Sequence, residues 1–110
     1  MANYRDSDAW KLAMELVCDI YRATVKFPDE EMFGLTAQMR SGAIRGTSKI
    51  AEGMLDEARW SLLEVETQII VAARLGYLTK QAARALYKLA RAAAKALEAI
   101  TPCRTSPGTV

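Results

Sequence analysis

No histidine occurs anywhere in the sequence. Its absence removes the commonest general base, the commonest metal ligand and every Ser–His or Cys–His nucleophilic pair. Cysteine is nearly as scarce. Cys18 lies in an apolar helical pattern and Cys103 in a proline-flanked tail, so there is no Cys-x-x-Cys zinc pair, and two free thiols are expected rather than a bridge. A di-metal carboxylate bundle needs Glu-x-x-His repeats, which a chain without histidine does not have. Gly42, Gly46 and Gly53 match neither a phosphate loop nor a dinucleotide fingerprint. The expectation is a protein that is not an enzyme and takes no metal and no cofactor.

Long apolar runs are missing too. The longest is Ile69-Ile70-Val71-Ala72-Ala73, far short of the ~20 residues that cross a bilayer, and Met1 to Asp6 offer no apolar leader segment. A cytoplasmic protein with no membrane partner is expected. Proline and glycine together number only nine of 110 residues, too few for a disordered or low-complexity chain.

What is present is an ordinary globular balance, 51% hydrophobic and 25% charged, in a length that supports one core and not two. Net charge is only +2, but it is unevenly placed. Residues 1–73 hold eight Lys/Arg against twelve Asp/Glu, whereas residues 74–110 hold seven against one. The C-terminal third is a basic module on a mildly acidic body.

Apolar residues recur at the helical period in four segments. The first carries Trp10, Ala13, Met14, Val17, Ile20, Tyr21 and Thr24, opens at Asp6 or Ser7 as N-cap, and stops before Phe27-Pro28, predicting a helix over residues 8–26. After the acidic link Asp29-Glu30-Glu31, Leu35, Met39, Ala43, Gly46, Ile50 and Met54 mark a second helix closed by Gly53. Its interior Gly42, Ala43 and Gly46 point to close packing of a neighbouring backbone, with a kink as the other reading. A third helix is predicted over residues 56–75, with Leu55, Leu62, Val65, Ile69 and Ala72 on one stripe and Leu63, Ile70 and Ala73 widening it. Gly76 ends it, and Thr79 caps a fourth over residues 80–100. There Leu78, Ala82, Leu86, Leu89, Ala93, Leu97 and Ile100 form a seam opposite Lys80, Arg84, Lys88, Arg91 and Lys95. Thr101-Pro102 stops the chain of helices. No run alternates with period two, so the fold class predicted is all-α, an antiparallel up-down-up-down four-helix bundle over residues 4–101 with a flexible tail at 102–110.

The carboxylates do not assemble a site. Glu64 and Glu66 are two apart, hence on different faces, and Glu52 reads as a capping or solvated residue.

Two functional classes remain. One is a nucleic-acid-binding protein, RNA or DNA, using Lys80, Arg84, Lys88, Arg91 and Lys95 joined by Arg40, Arg45 and Lys49 of the second helix, because clustered cations gain affinity by releasing phosphate counterions. Only Tyr87 interleaves these cations, which leaves little for base stacking. The other is a scaffolding protein that binds protein partners, with Trp60 and Tyr77 as aromatic anchors. In either case the third helix is apolar on two adjoining stripes, and Leu35, Ile44, Trp60, Leu63 and Ile70 are surplus to one small bundle. That surplus predicts a homo-oligomer, with a head-to-tail contact closing into a ring.

The ordered motifs Trp10-Lys11, Phe27-Pro28, Phe33-Gly34-Leu35-Thr36, Gln38-Met39-Arg40, Ile50-Ala51-Glu52-Gly53, Glu64-Val65-Glu66-Thr67-Gln68 and Ala73-Arg74-Leu75-Gly76-Tyr77-Leu78 resemble the four-helix-bundle family named after the protein encoded in intervening sequences of 23S ribosomal RNA. The resemblance covers residues 4–78 and implies the same bundle. Relatives that serve diversity-generating retroelements are similar as well, and they imply a barrel of five copies that binds nucleic acid. Two departures stand out. Arg45-Gly46-Thr47-Ser48-Lys49 replaces the serine- and proline-rich stretch usual in the family, adding positive charge. Roughly eleven family residues are also missing before Glu64, close to three whole turns at 3.6 residues each, so the third helix keeps its phase.

Overall fold

The computed structural model describes residues 3–101, so Cys103 and the tail at 102–110 lie outside the described residues. Four helices account for most of them: α1 Asp8–Thr24, α2 Leu35–Ala51, α3 Leu55–Arg74 and α4 Lys80–Ile100. Short 3-10 turns at Tyr4–Asp6 and Asp29–Glu31 precede α1 and α2, and no strand occurs among the described residues.

The ends of the helices follow from local chemistry. Ser7 Oγ accepts the Trp10 amide at 3.1 Å and Thr79 Oγ1 accepts the Ala82 amide at 3.0 Å, each satisfying a donor that the first helical turn leaves over. At the other ends of α2 and α3, Gly53 and Gly76 take φ of 77° and 82°. Each supports the same pair of closing bonds. Met54 N donates to Lys49 O and Gly53 N to Ile50 O, while Tyr77 N donates to Ala72 O and Gly76 N to Ala73 O. A left-handed residue was needed at both places, and glycine adopts it without a Cβ clash. The helix α1 stops two residues earlier than the Phe27-Pro28 signal, because Thr24 turns its hydroxyl back onto Ile20 O and Phe27 N bonds to Thr24 O in a final turn.

Each helix packs on its neighbours in sequence, and α4 closes back on α1; among the described residues the diagonal pairs make no close approach. The core is the line where the four meet: Leu16 and Ile20 from α1, Met39 and Ile50 from α2, Leu62, Val65 and Ile69 from α3, Leu86 and Leu97 from α4. Alanines 9, 13, 90, 93 and 94 fill the rest of the interior on α1 and α4. The α1 seam is rotated from the one expected. Ala9, Ala13, Leu16, Ile20 and Thr24 are buried, while Met14 and Tyr21 are exposed.

The interior glycines of α2 resolve in favour of close packing. The helix runs unbroken, and a Cβ added at Gly42 would meet Val65 Cγ2 of α3 at 3.1 Å, one at Gly46 Leu62 Cδ2 at 3.4 Å. Gln68 sits in the same contact, and its Oε1 is buried without a hydrogen-bond partner. No helix among the described residues is long and apolar enough to cross a membrane.

Candidate nucleic-acid interface

The eight cations named from sequence fall into two groups. Four are occupied inside the chain. Arg40 is held against α1, its Nε donating to Thr24 Oγ1 at 2.8 Å and its guanidinium lying 4.5 Å from the centre of the Tyr21 ring. Arg45 pairs across the α2–α3 contact with Glu64 at 3.0 Å. Lys49 bridges Glu57 at 3.3 Å and Glu52 at 3.4 Å, and those partners, Glu57 first, hold its pKa above the ordinary lysine value of 10.5. Arg91 reaches from α4 to Glu66 of α3 at 3.2 Å.

The Arg91 contact differs in kind, because the Glu66 side chain is only 9% exposed. A carboxylate that deep must be paired, and Arg91 is its counter-ion. Glu64 and Glu66 thus do point apart, one towards α2 and the other towards α4. Sequence pattern placed Arg91 in the solvated row; the fold spends it on α3 instead.

Lys80, Arg84, Lys88 and Lys95 remain. They are exposed along the outer side of α4 and have no ion pair among the described residues. Tyr87 is exposed in the same row, and Arg74 at the end of α3 adds another exposed cation. The positive field of the C-terminal third is therefore presented on one side, while on α2 Arg45 and Lys49 are neutralised by carboxylates and Arg40 is held against α1.

Beside this row runs an apolar groove of about 380 Å³ between α3 and α4, lined by Ile69, Ile70, Ala73, Ala83 and Tyr87 with Arg74 and Arg84 at its edges. It connects the basic row to the surplus apolar residues of α3. Trp60 is 60% exposed, and Leu63 and Ile70 are exposed about one turn and about three turns further on. Ile44 is exposed on α2. Leu35 is not, since it packs against the bundle's own core. Trp10, the other tryptophan, is half-buried and meets Tyr4 edge-on at 5.5 Å.

One exposed residue carried no periodic signal. Phe33 is 92% exposed at the corner between α1 and α2, two residues after the acidic link. It belongs to no helix, so a search for amphipathic stripes passes over it. A large apolar residue outside every helical pattern was the available clue.

Among the described residues no group of three or more His, Cys, Asp or Glu side chains is placed to hold a metal ion. No curated protein matches the chain. The family model described as 23S rRNA-intervening sequence protein matches residues 5–99, nearly every residue of the four helices and their links. The chain belongs to that family.

Proposed function

We propose that this chain is a non-enzymatic, cytoplasmic, homo-oligomeric protein, an antiparallel up-down-up-down four-helix bundle that binds RNA or DNA through the outer side of α4. The observation that carries the reading is the row Lys80, Arg84, Lys88 and Lys95, exposed and without carboxylates, next to four other cations that all have partners. A solvated surface row usually acquires acidic neighbours at helical spacing, as Lys49 does. Within α4 itself the only acid is Glu98. Phosphates gain most from cations that have no competing anion to release. The antiparallel course is supported by the short links and by the bond from Tyr77, after α3, to Glu31, before α2, which brings the two links to one end. The ring of five copies rests on the family resemblance together with the exposed Ile44, Trp60, Leu63 and Ile70.

A second reading, a scaffold for protein partners only, is favoured by Trp60, an aromatic anchor exposed on α3. Binding of fluorescent single- and double-stranded RNA and DNA at low salt separates the two. Lys80, Lys88 and Lys95 changed together to glutamate should abolish binding with the helical circular dichroism unchanged. No binding by the unaltered protein would leave the scaffold reading.

A further inference from the structure

The exposed Phe33 and the α3–α4 groove have complementary chemistry. Phe33 follows Asp29 and Glu30, both exposed and without an ion pair among the described residues. The groove is apolar, and its edges are Arg74 and Arg84. An aromatic ring three and four residues along the chain from two exposed carboxylates thus has a counterpart in an apolar slot edged by two guanidiniums. At about 380 Å³ the groove is large enough, since a cavity of about 150 Å³ already holds a benzene ring.

Their places in the fold also match. Phe33 and its surroundings, Met32, Tyr21 and Ile44 with Arg40 and Thr36 beside them, lie on the α1–α2 side. In a bundle where each helix touches only its sequence neighbours and α1 meets α4, the α1–α2 and α3–α4 sides are opposite. Both features lie towards the end where Glu31 bonds Tyr77, because the groove is built from the last two turns of α3 and the first two of α4. A knob and a socket on opposite sides at similar height join copies head to tail with little rise from one copy to the next. Such a contact closes into a ring when the rotation from copy to copy completes a full turn.

We propose that Phe33 of one copy seats in the α3–α4 groove of the next, with Asp29 and Glu30 facing Arg74 and Arg84. This assigns a contact to the homo-oligomer reading above and rests on it. The charges orient the ring, and the apolar slot supplies the affinity.

The test is sedimentation velocity on the full chain without nucleic acid. Phe33→Ala removes the knob and Ile70→Glu blocks the socket; both positions are exposed, so circular dichroism should show folded chains. Each variant alone should lose association by about tenfold or more. Mixed together, they should form a one-to-one dimer, since each retains the half that the other lacks. A charge exchange provides a second readout: D29R/E30R and R74E/R84E should each dissociate, and the chain carrying all four changes should reassemble. An unaltered protein that associates while the Phe33→Ala and Ile70→Glu variants associate equally well overturns the pairing and leaves the oligomer standing. An unaltered protein that stays monomeric overturns both.

Discussion

The Tyr77 hydroxyl, in the turn after α3, donates a 3.0 Å hydrogen bond to Glu31 Oε2, 46 residues earlier in the chain. The other carboxylate oxygen of Glu31 accepts the Leu35 amide at 3.0 Å, so one side chain caps α2 and anchors the far link. The Tyr77 ring meanwhile packs on Phe27, 5.3 Å between centres. This end of the bundle is closed by three residues that sequence pattern treated as separate turn signals.

That bond has a pH signature. The pKa of Tyr77 is held above its ordinary 10.0, chiefly by donating to Glu31, then by desolvation and by the nearby charges of Glu31 and Glu30. A folded-state value above the unfolded one contributes stability that is complete below the unfolded value and is lost as pH rises through the folded one. Tyr77→Phe should destabilise the bundle at neutral pH, where the bond to Glu31 is intact. The difference between the two proteins in urea titrations should shrink as pH rises past the ordinary tyrosine value and through the raised value of the folded state. A constant difference across that range would remove the hydrogen bond from the account.

The glycines make opposite predictions. Gly46→Ala should stabilise by about 0.5–1 kcal/mol, since helix propensity improves and the new methyl meets Leu62 at ordinary contact distance. Gly42→Ala should lose stability, because Val65 Cγ2 stands at 3.1 Å and its β-branched side chain has little room to turn. Gly53→Ala should lose about 1 kcal/mol although nothing lies within 4 Å of the added atom, the cost being its positive φ. Thermal melts of the three variants would order them.

Arg91→Glu should destabilise by about 2–3 kcal/mol, less than for a fully buried pair because Arg91 is partly exposed. It leaves Glu66 buried opposite a like charge. Replacing Glu66 and Arg91 together by methionine should recover most of the loss, as apolar side chains of similar volume often do. A charge reversal that includes Arg91 therefore confounds binding with folding and one that includes Arg84 confounds it with assembly, so Lys80, Lys88 and Lys95 are the cleaner set.

For nucleic acid the salt dependence is the sharper measurement. If Lys80, Arg84, Lys88 and Lys95 each neutralise one phosphate, the logarithm of affinity should fall with the logarithm of salt with a slope of about −3 to −4. Each single change to alanine should reduce that slope by about one. Arg45→Ala should leave it unchanged, since Arg45 already holds Glu64.

Assembly can be read from Trp60. With Trp10→Phe leaving Trp60 as the sole indole, dilution should shift its fluorescence to longer wavelength as subunits separate and the side chain becomes 60% exposed. The undiluted protein should sediment near five times 12.1 kDa. Emission that stays constant while the mass falls would place Trp60 outside the interface.

The four helices, their caps at Ser7, Thr79, Gly53 and Gly76, and the apolar seams of α2, α3 and α4 were legible in the sequence, because each depends on residues within a turn or two of one another. The same holds for what is missing, since the absence of histidine needs no fold to exclude its chemistry. Pairing across the bundle was not legible. Helical phase places Arg91 in the same row as Arg84 and Lys88, and only the approach of α3 decides that one of the three serves Glu66. Likewise Arg40, Arg45 and Lys49 read as free cations until α1 and α3 bring Thr24, Glu64 and Glu57 to them. A local pattern specifies which way a side chain points from its own helix, whereas its electrostatic partner is set by distance between helices, and that exists only once the bundle has closed.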